Sequence, residues 1–175
     1  PTITAPAAKT VSADAGSCTA SNVSLGTPAT GDNCSVASVT NNAPATFPLG
    51  NTTVTWKVTD GSGNTATATQ VVTVQDKQNP TITAPAAKTV SADAGSCTAS
   101  NVSLGTPTTG DNCSVASVTN NAPTTFPLGT TTVIWKVTDG SGNTATANQV
   151  ITVEDKQNPT ITAPAAKTVS ADAGS

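Results

Sequence analysis

From Thr53 to Thr59 apolar and polar residues alternate, with Val54, Trp56 and Val58 on one side and Thr53, Thr55, Lys57 and Thr59 on the other. A period of two marks an extended strand with one buried face. The following run, TATATQVVTVQD, predicts a second strand with Ala66, Ala68, Val72 and Val74 turned inward. Asp60-Gly61-Ser62-Gly63-Asn64 lies between the two and reads as a hairpin turn. Upstream, PTIT, AKTVSA, ASNVSL and CSVASVT predict shorter strands separated by turns that contain Pro and Gly. About seven short strands joined this way point to a small antiparallel β-sandwich. Trp56 anchors the expected core, with Phe47, Leu49, Val54 and Val58 around it, since a lone aromatic on the apolar face of a strand is usually packing.

The pattern then repeats. Pro1, Pro80 and Pro159 open the same phrase, which sets a period of 79 residues. Exchanges such as Thr55 for Ile134 and Val72 for Ile151 suit extended or loop positions, and no Cys, Gly, Pro or Trp changes. Trp135 and Phe126 are therefore the core counterparts of Trp56 and Phe47. A fixed long period means a tandem array. The expected layout is a first unit over 1–76, a linker at 77–79, a second unit over 80–155, a linker at 156–158, and the start of a third over 159–175. The chain reads as a window on a longer array. Ser175 matches Ser17 and Ser96, each followed by Cys, so a cysteine is expected after it.

Composition narrows what such an array can do. Aromatics are 2% of residues and charged residues 10%, with a net charge of −3 and no His. Without a basic patch, nucleic acid is not an expected partner. No apolar run is long enough to cross a bilayer, so this segment is not expected to insert in a membrane. A unit of this size buries only about 60% of its unfolded surface and is marginal by itself.

The stretch TFPLGNTTVTWKVTDGSGNTATATQVVTVQD resembles the second half of the hyalin repeat (HYR) domain, an immunoglobulin-like extracellular module. Phe47-Pro48-Leu49-Gly50, the Thr-Thr-Val run, Asp60 and Gly63-Asn64-Thr65-Ala66 carry the likeness, and NPTITAP and GDNC extend it over each unit. The resemblance implies a tandem array of immunoglobulin-like sandwiches outside the cell. AGSC together with GDNC is similar to versions in very long bacterial surface proteins, including adhesins of gliding bacteria. Many family members carry cysteines where this chain has Ala5 and Ala68, so any disulfide here must be a different one.

Four cysteines allow three pairings. Joining homologous positions, Cys18–Cys97 with Cys34–Cys113, cannot propagate along an array. Two schemes remain: within units, Cys18–Cys34 and Cys97–Cys113, or between neighbours, Cys18–Cys113 with Cys34 bonded to an earlier unit. The short loop favours the first, which also lets each unit fold alone. Closing a loop of that size stabilises by roughly 3 kcal/mol in the entropy model. Either scheme implies an oxidising compartment and an extracellular or cell-surface location. Two Cys and no His per unit are too few ligands for zinc.

No catalytic constellation emerges, and an enzyme is not expected. Calcium is the one cofactor to weigh. Asp60, Ser62 and Asn64 fall at the first ligand positions of an EF-hand-like loop, but Val71 stands where its bidentate Glu belongs. A site between units is more plausible. Strand direction brings the Asp139–Asn143 turn near Asp76, and Asp111 of GDNC is a third candidate carboxylate. The competing reading makes these Asp and Asn residues turn formers only. Asn22, Asn33, Asn51, Asn101 and Asn112 begin glycosylation sequons, of value only where the source glycosylates Asn.

Function is thus expected from architecture. The expectation is a non-catalytic stalk or fibre segment of an adhesin, giving reach and mechanical toughness. Its partners are neighbouring repeats, and a cell or abiotic surface gripped by regions outside this segment. One alternative is a self-assembling filament in which identical chains pack through Thr-rich faces. Another is a carbohydrate- or protein-binding module, which the scarcity of aromatics disfavours.

Overall fold

The long hairpin organises each unit. In the computed structural model, which describes residues 1–170, the first unit contains β1 (Thr2–Thr4), β2 (Lys9–Ser12), β3 (Thr19–Ser21), β4 (Ala29–Gly31), β5 (Val36–Asn41), β6 (Thr46–Pro48), β7 (Gly50–Asp60) and β8 (Thr65–Gln75). The second repeats them as β9 (Thr81–Thr83), β10 (Lys88–Ser91), β11 (Thr98–Ser100), β12 (Thr108–Gly110), β13 (Val115–Asn120), β14 (Thr125–Pro127), β15 (Gly129–Asp139) and β16 (Thr144–Glu154). The protein is all-β.

One sheet runs β2-β8-β7-β5, and the pairs β1-β4 and β3-β6 complete the unit. The pairings are antiparallel except that β2 runs parallel to β8, with Val11 opposite Val74. A wholly antiparallel sandwich is therefore not what forms. β1 and β2 follow one another in a single direction, and Ala5–Ala8 carries the chain from the β4 partner to the edge of the main sheet. β4 and β6 are also additions to the expected strands, and ASNVSL contributes only its first two residues, to β3.

The alternation of β7 becomes burial. Val54 and Val58 are fully enclosed, and Trp56 packs in a cluster with Phe47, Ala20, Val72 and Val74. Trp135 and Phe126 hold the same places in the second unit. Leu49 departs from expectation, being 41% exposed. It sits between β6 and β7, where the chain leaves one sheet for the other, and Gly50 makes that corner at a φ of 91°. A side chain at the corner belongs to neither inner face.

PTITAPAAKTVS occurs three times, at 1–12, 80–91 and 159–170. The first two copies form strands, while residues 159–170 form none and leave Ile161 and Val169 exposed. These strands pair with β4 and β8, or β12 and β16 in the second unit. No third counterpart of those partners is present in this chain. Extended segments gain little without partners for their backbone groups. The cysteine expected after Ser175 lies outside the described residues.

Candidate functional site: the joint between units

Asp76 ends the first unit and begins the joint. Its Oδ1 accepts the Gln78 amide at 3.0 Å, folding the connector tightly. The Gln78 side chain then reaches back onto its own unit. Its Oε1 accepts the Gly16 amide at 3.0 Å and its Nε2 donates to Asp14 O at 3.0 Å. Gln157 makes the same bonds to Gly95 and Asp93, so each connector is tied to the loop between the second and third strands of its unit.

The second unit closes on this platform. Asn112 donates through Nδ2 to Ser17 O at 2.9 Å and to Asp76 Oδ1 at 3.2 Å. The Asp139–Asn143 turn arrives from the other side, with Asn143 Nδ2 donating to Asp76 O at 3.2 Å. A disulfide joins Cys18 to Cys113, with Cα atoms 5.0 Å apart.

That bond corrects the within-unit pairing of Cys18 with Cys34 and Cys97 with Cys113. Cys18 follows the loop against Gln78 at the outgoing end of its unit. Cys34 lies at the opposite end, where Gly61 of the β7–β8 turn donates to Ser35 O. Loop entropy ranks pairings by length alone, whereas the sandwich holds these two sulfurs at its far poles. Cys34 and Cys97 are free and exposed, one at each outer end of the pair of units.

The three candidate calcium ligands separate into two kinds. Asp139 is buried, but Oδ1 accepts the amides of Ser141 and Asn143, and Oδ2 accepts Asn143 Nδ2 at 2.8 Å. It shapes the turn and offers no unclaimed oxygen, so it leaves the ligand set. Asp76 and Asp111 do come together. Asp111 Oδ2 accepts the amides of Cys113 and Ser114, both at 2.9 Å, while its Oδ1 has no donor. Asp76 Oδ2 likewise has none.

Other carboxylates show how the turns fix their charge. Hydrogen bonds from the Ser21 hydroxyl and amide hold Asp14 below the ordinary carboxylate range. Asp32 is lowered by the Cys34 amide and by its ion pair with the N-terminus. The Asn64 side chain lowers Asp60. Burial pushes Asp139 up, but the Asn143 side chain and the turn amides outweigh it and leave it lowered.

Sequence reasoning missed Gln78, Asn112 and the buried Gln70. The signal for Gln70 was available: it falls in step with Ala66, Ala68, Val72 and Val74, a polar residue on the inward phase of β8.

A family model described as HYR domain matches residues 1–74 and 75–153. Hyalin of Strongylocentrotus purpuratus is 34% identical over 113 residues, covering 61% of this chain and 9% of that protein. Hyalin of Lytechinus variegatus is 34% identical over 133 residues, covering 72% of this chain and 25% of that protein. The chain thus spans a quarter or less of these relatives. Both are echinoderm proteins, and the finer expectation of a bacterial adhesin finds no support in them. Among solved structures, protocadherin gamma C5 EC1-3 is similar at a TM-score of 0.40 and 14% identity, covering 87% of this chain and 67% of that one. Human protocadherin-24 EC1-2 is similar at a TM-score of 0.40 and 10% identity, covering 85% and 95% respectively.

Proposed function

The chain belongs to the HYR domain family, and from that premise we propose that it is a stalk segment of an extracellular adhesion protein. In this reading its task is to hold successive sandwiches in fixed order and orientation. The observation that carries it is the joint: a disulfide together with hydrogen bonds from Asn112 and Asn143 fastens the second unit to the first. Flexible tethering would need none of these contacts. The unpaired Cys34 and Cys97 stand where like joints to further units would be fastened. The disulfide also fits an oxidising location outside the cell.

Small-angle X-ray scattering of the oxidised chain tests the proposal. One sharply defined maximum dimension is expected, with broadening once Cys18–Cys113 is reduced. A broad distribution in the oxidised chain overturns it.

A second reading, a self-assembling filament, draws on β5. All six of its residues are exposed, Val36 and Val39 among them, and it forms a free edge of the main sheet. Such edges invite pairing with another chain. Light scattering separates the two: a stalk keeps the mass of one chain, and a filament gains mass with concentration. A sugar-binding role is disfavoured because Trp56 and Trp135 are each 6% exposed, leaving no ring face to stack on.

A further inference from the structure

Two carboxylates meet at the joint with one oxygen each left over. Asp76 is 94% buried by its 6% exposure, and its Oδ1 is used by Gln78 and Asn112. Asp111 spends Oδ2 on two backbone amides. Asp76 Oδ2 and Asp111 Oδ1 are shut off from solvent without any hydrogen-bond partner. One oxygen of each carboxylate and Cys113 Sγ lie within 4.8 Å of one another. An unpaired buried polar group is destabilising, more so when charged, and like charges at this distance add repulsion. A site that draws two carboxylates together and leaves one buried oxygen of each without a donor lacks a positive charge.

We infer that the joint is a cation site, and that its ion is Ca²⁺ held by Asp76 and Asp111, one from each unit. The donors are carboxylate oxygens, the choice of a hard cation. The nearby sulfur of Cys113 is spent in the disulfide with Cys18 and presents no thiolate, which argues against a zinc-type set. With two carboxylates as its charged ligands, the site is of the weak extracellular kind, with a constant of about 10⁻⁴–10⁻³ M. The ligands exist together only where two units meet. Asp155, the counterpart of Asp76, is exposed, and Asp32, the counterpart of Asp111, is paired with the N-terminal amine. Among the described residues the two carboxylates come together at this joint. This inference rests on the joint's geometry and does not require the stalk reading.

Amide-resolved NMR of the oxidised chain, titrated with CaCl₂ to about 10 mM, tests it directly. The amides of Gln78, Cys113 and Ser114, which donate to the two carboxylates, should shift with a single saturating constant. Those of Gln157, Cys34 and Ser35, which donate to the counterparts Asp155 and Asp32, should stay still. At about a hundred times a 10⁻⁴ M constant, calcium should also favour the closed joint about a hundredfold, read as a rise in melting temperature. Asp76→Asn and Asp111→Asn should each abolish both responses, and Asp155→Asn neither. If one variant fails to fold, the unmodified chain's selective shifts still decide. No shift at 10 mM, shifts at both sets of amides, or a response that survives Asp111→Asn would each overturn the site. Such outcomes leave the scattering test of the joint's rigidity unaffected.

Discussion

Gln70 and Gln149 each tie a core to its rim. Gln70 Oε1 accepts the Trp56 indole N–H at 3.1 Å, and its Nε2 donates to Ala7 O and Leu25 O. Replacing Gln70 with Ala orphans an indole and two carbonyls, so a loss of about 1–3 kcal/mol for the first buried group is expected in urea unfolding. Trp56→Ala should cost more, about 3–5 kcal/mol, and unfold its unit. The lowered carboxylates set the acid limit. Asp14, Asp32, Asp60 and Asp139 have folded pKa values below their unfolded ones, so their stabilisation is complete above about pH 4. It is lost as pH falls through the folded values, because the folded state then resists protonation that the unfolded chain accepts. Melting temperature should thus be flat from neutrality to about pH 5 and fall below pH 4, with a shallower fall for Asp139→Asn. Trp56 and Trp135 were legible because alternation along the long strands names the buried face. Gln70 was not, because a polar side chain on the inward phase breaks the apolar alternation that marks burial.

The elements teach the same lesson through the thrice-written phrase. At 1–12 and 80–91 it forms strands, and at 159–170 it does not. Its local preferences are identical in all three places, so the difference resides in the partner strands. Extending the chain with the rest of a third unit should therefore convert 159–170 into strands. Hydrogen exchange checks this: the amides of residues 159–170 should gain the protection seen over β9 and β10, and unchanged exchange would refute it. The long strands β7 and β8 were readable from sequence since eleven alternating residues carry a strong period. The three-residue strands β4 and β6 were not, because so short a run has almost no phase to read. The parallel placement of β2 was equally hidden, being decided by a crossing between sheets.

For the whole molecule, chain statistics and geometry gave opposite answers. The direction of β16 was enough to bring the Asp139–Asn143 turn to Asp76, while the cysteine pairing depended on which pole of the sandwich each sulfur occupied. Cys18→Ser with Cys113→Ser should leave both cores folded and loosen the joint, because the core clusters do not draw on the cysteines. The entropy model puts the loss from opening a loop of 95 residues near 4.7 kcal/mol, to be measured by denaturation of the paired units.

The staple also decides how a pulling force travels. Tension applied at the two ends enters at Cys18 and leaves at Cys113, so the 95-residue span between them is bypassed. At about 3.4 Å per residue, roughly 320 Å of contour stays locked until the bond is reduced. Single-molecule stretching should show that length appear only with reductant. Were every joint fastened alike, each unit would carry load only through the short segment between Cys18 and Cys34, and its long hairpin would never feel the pull.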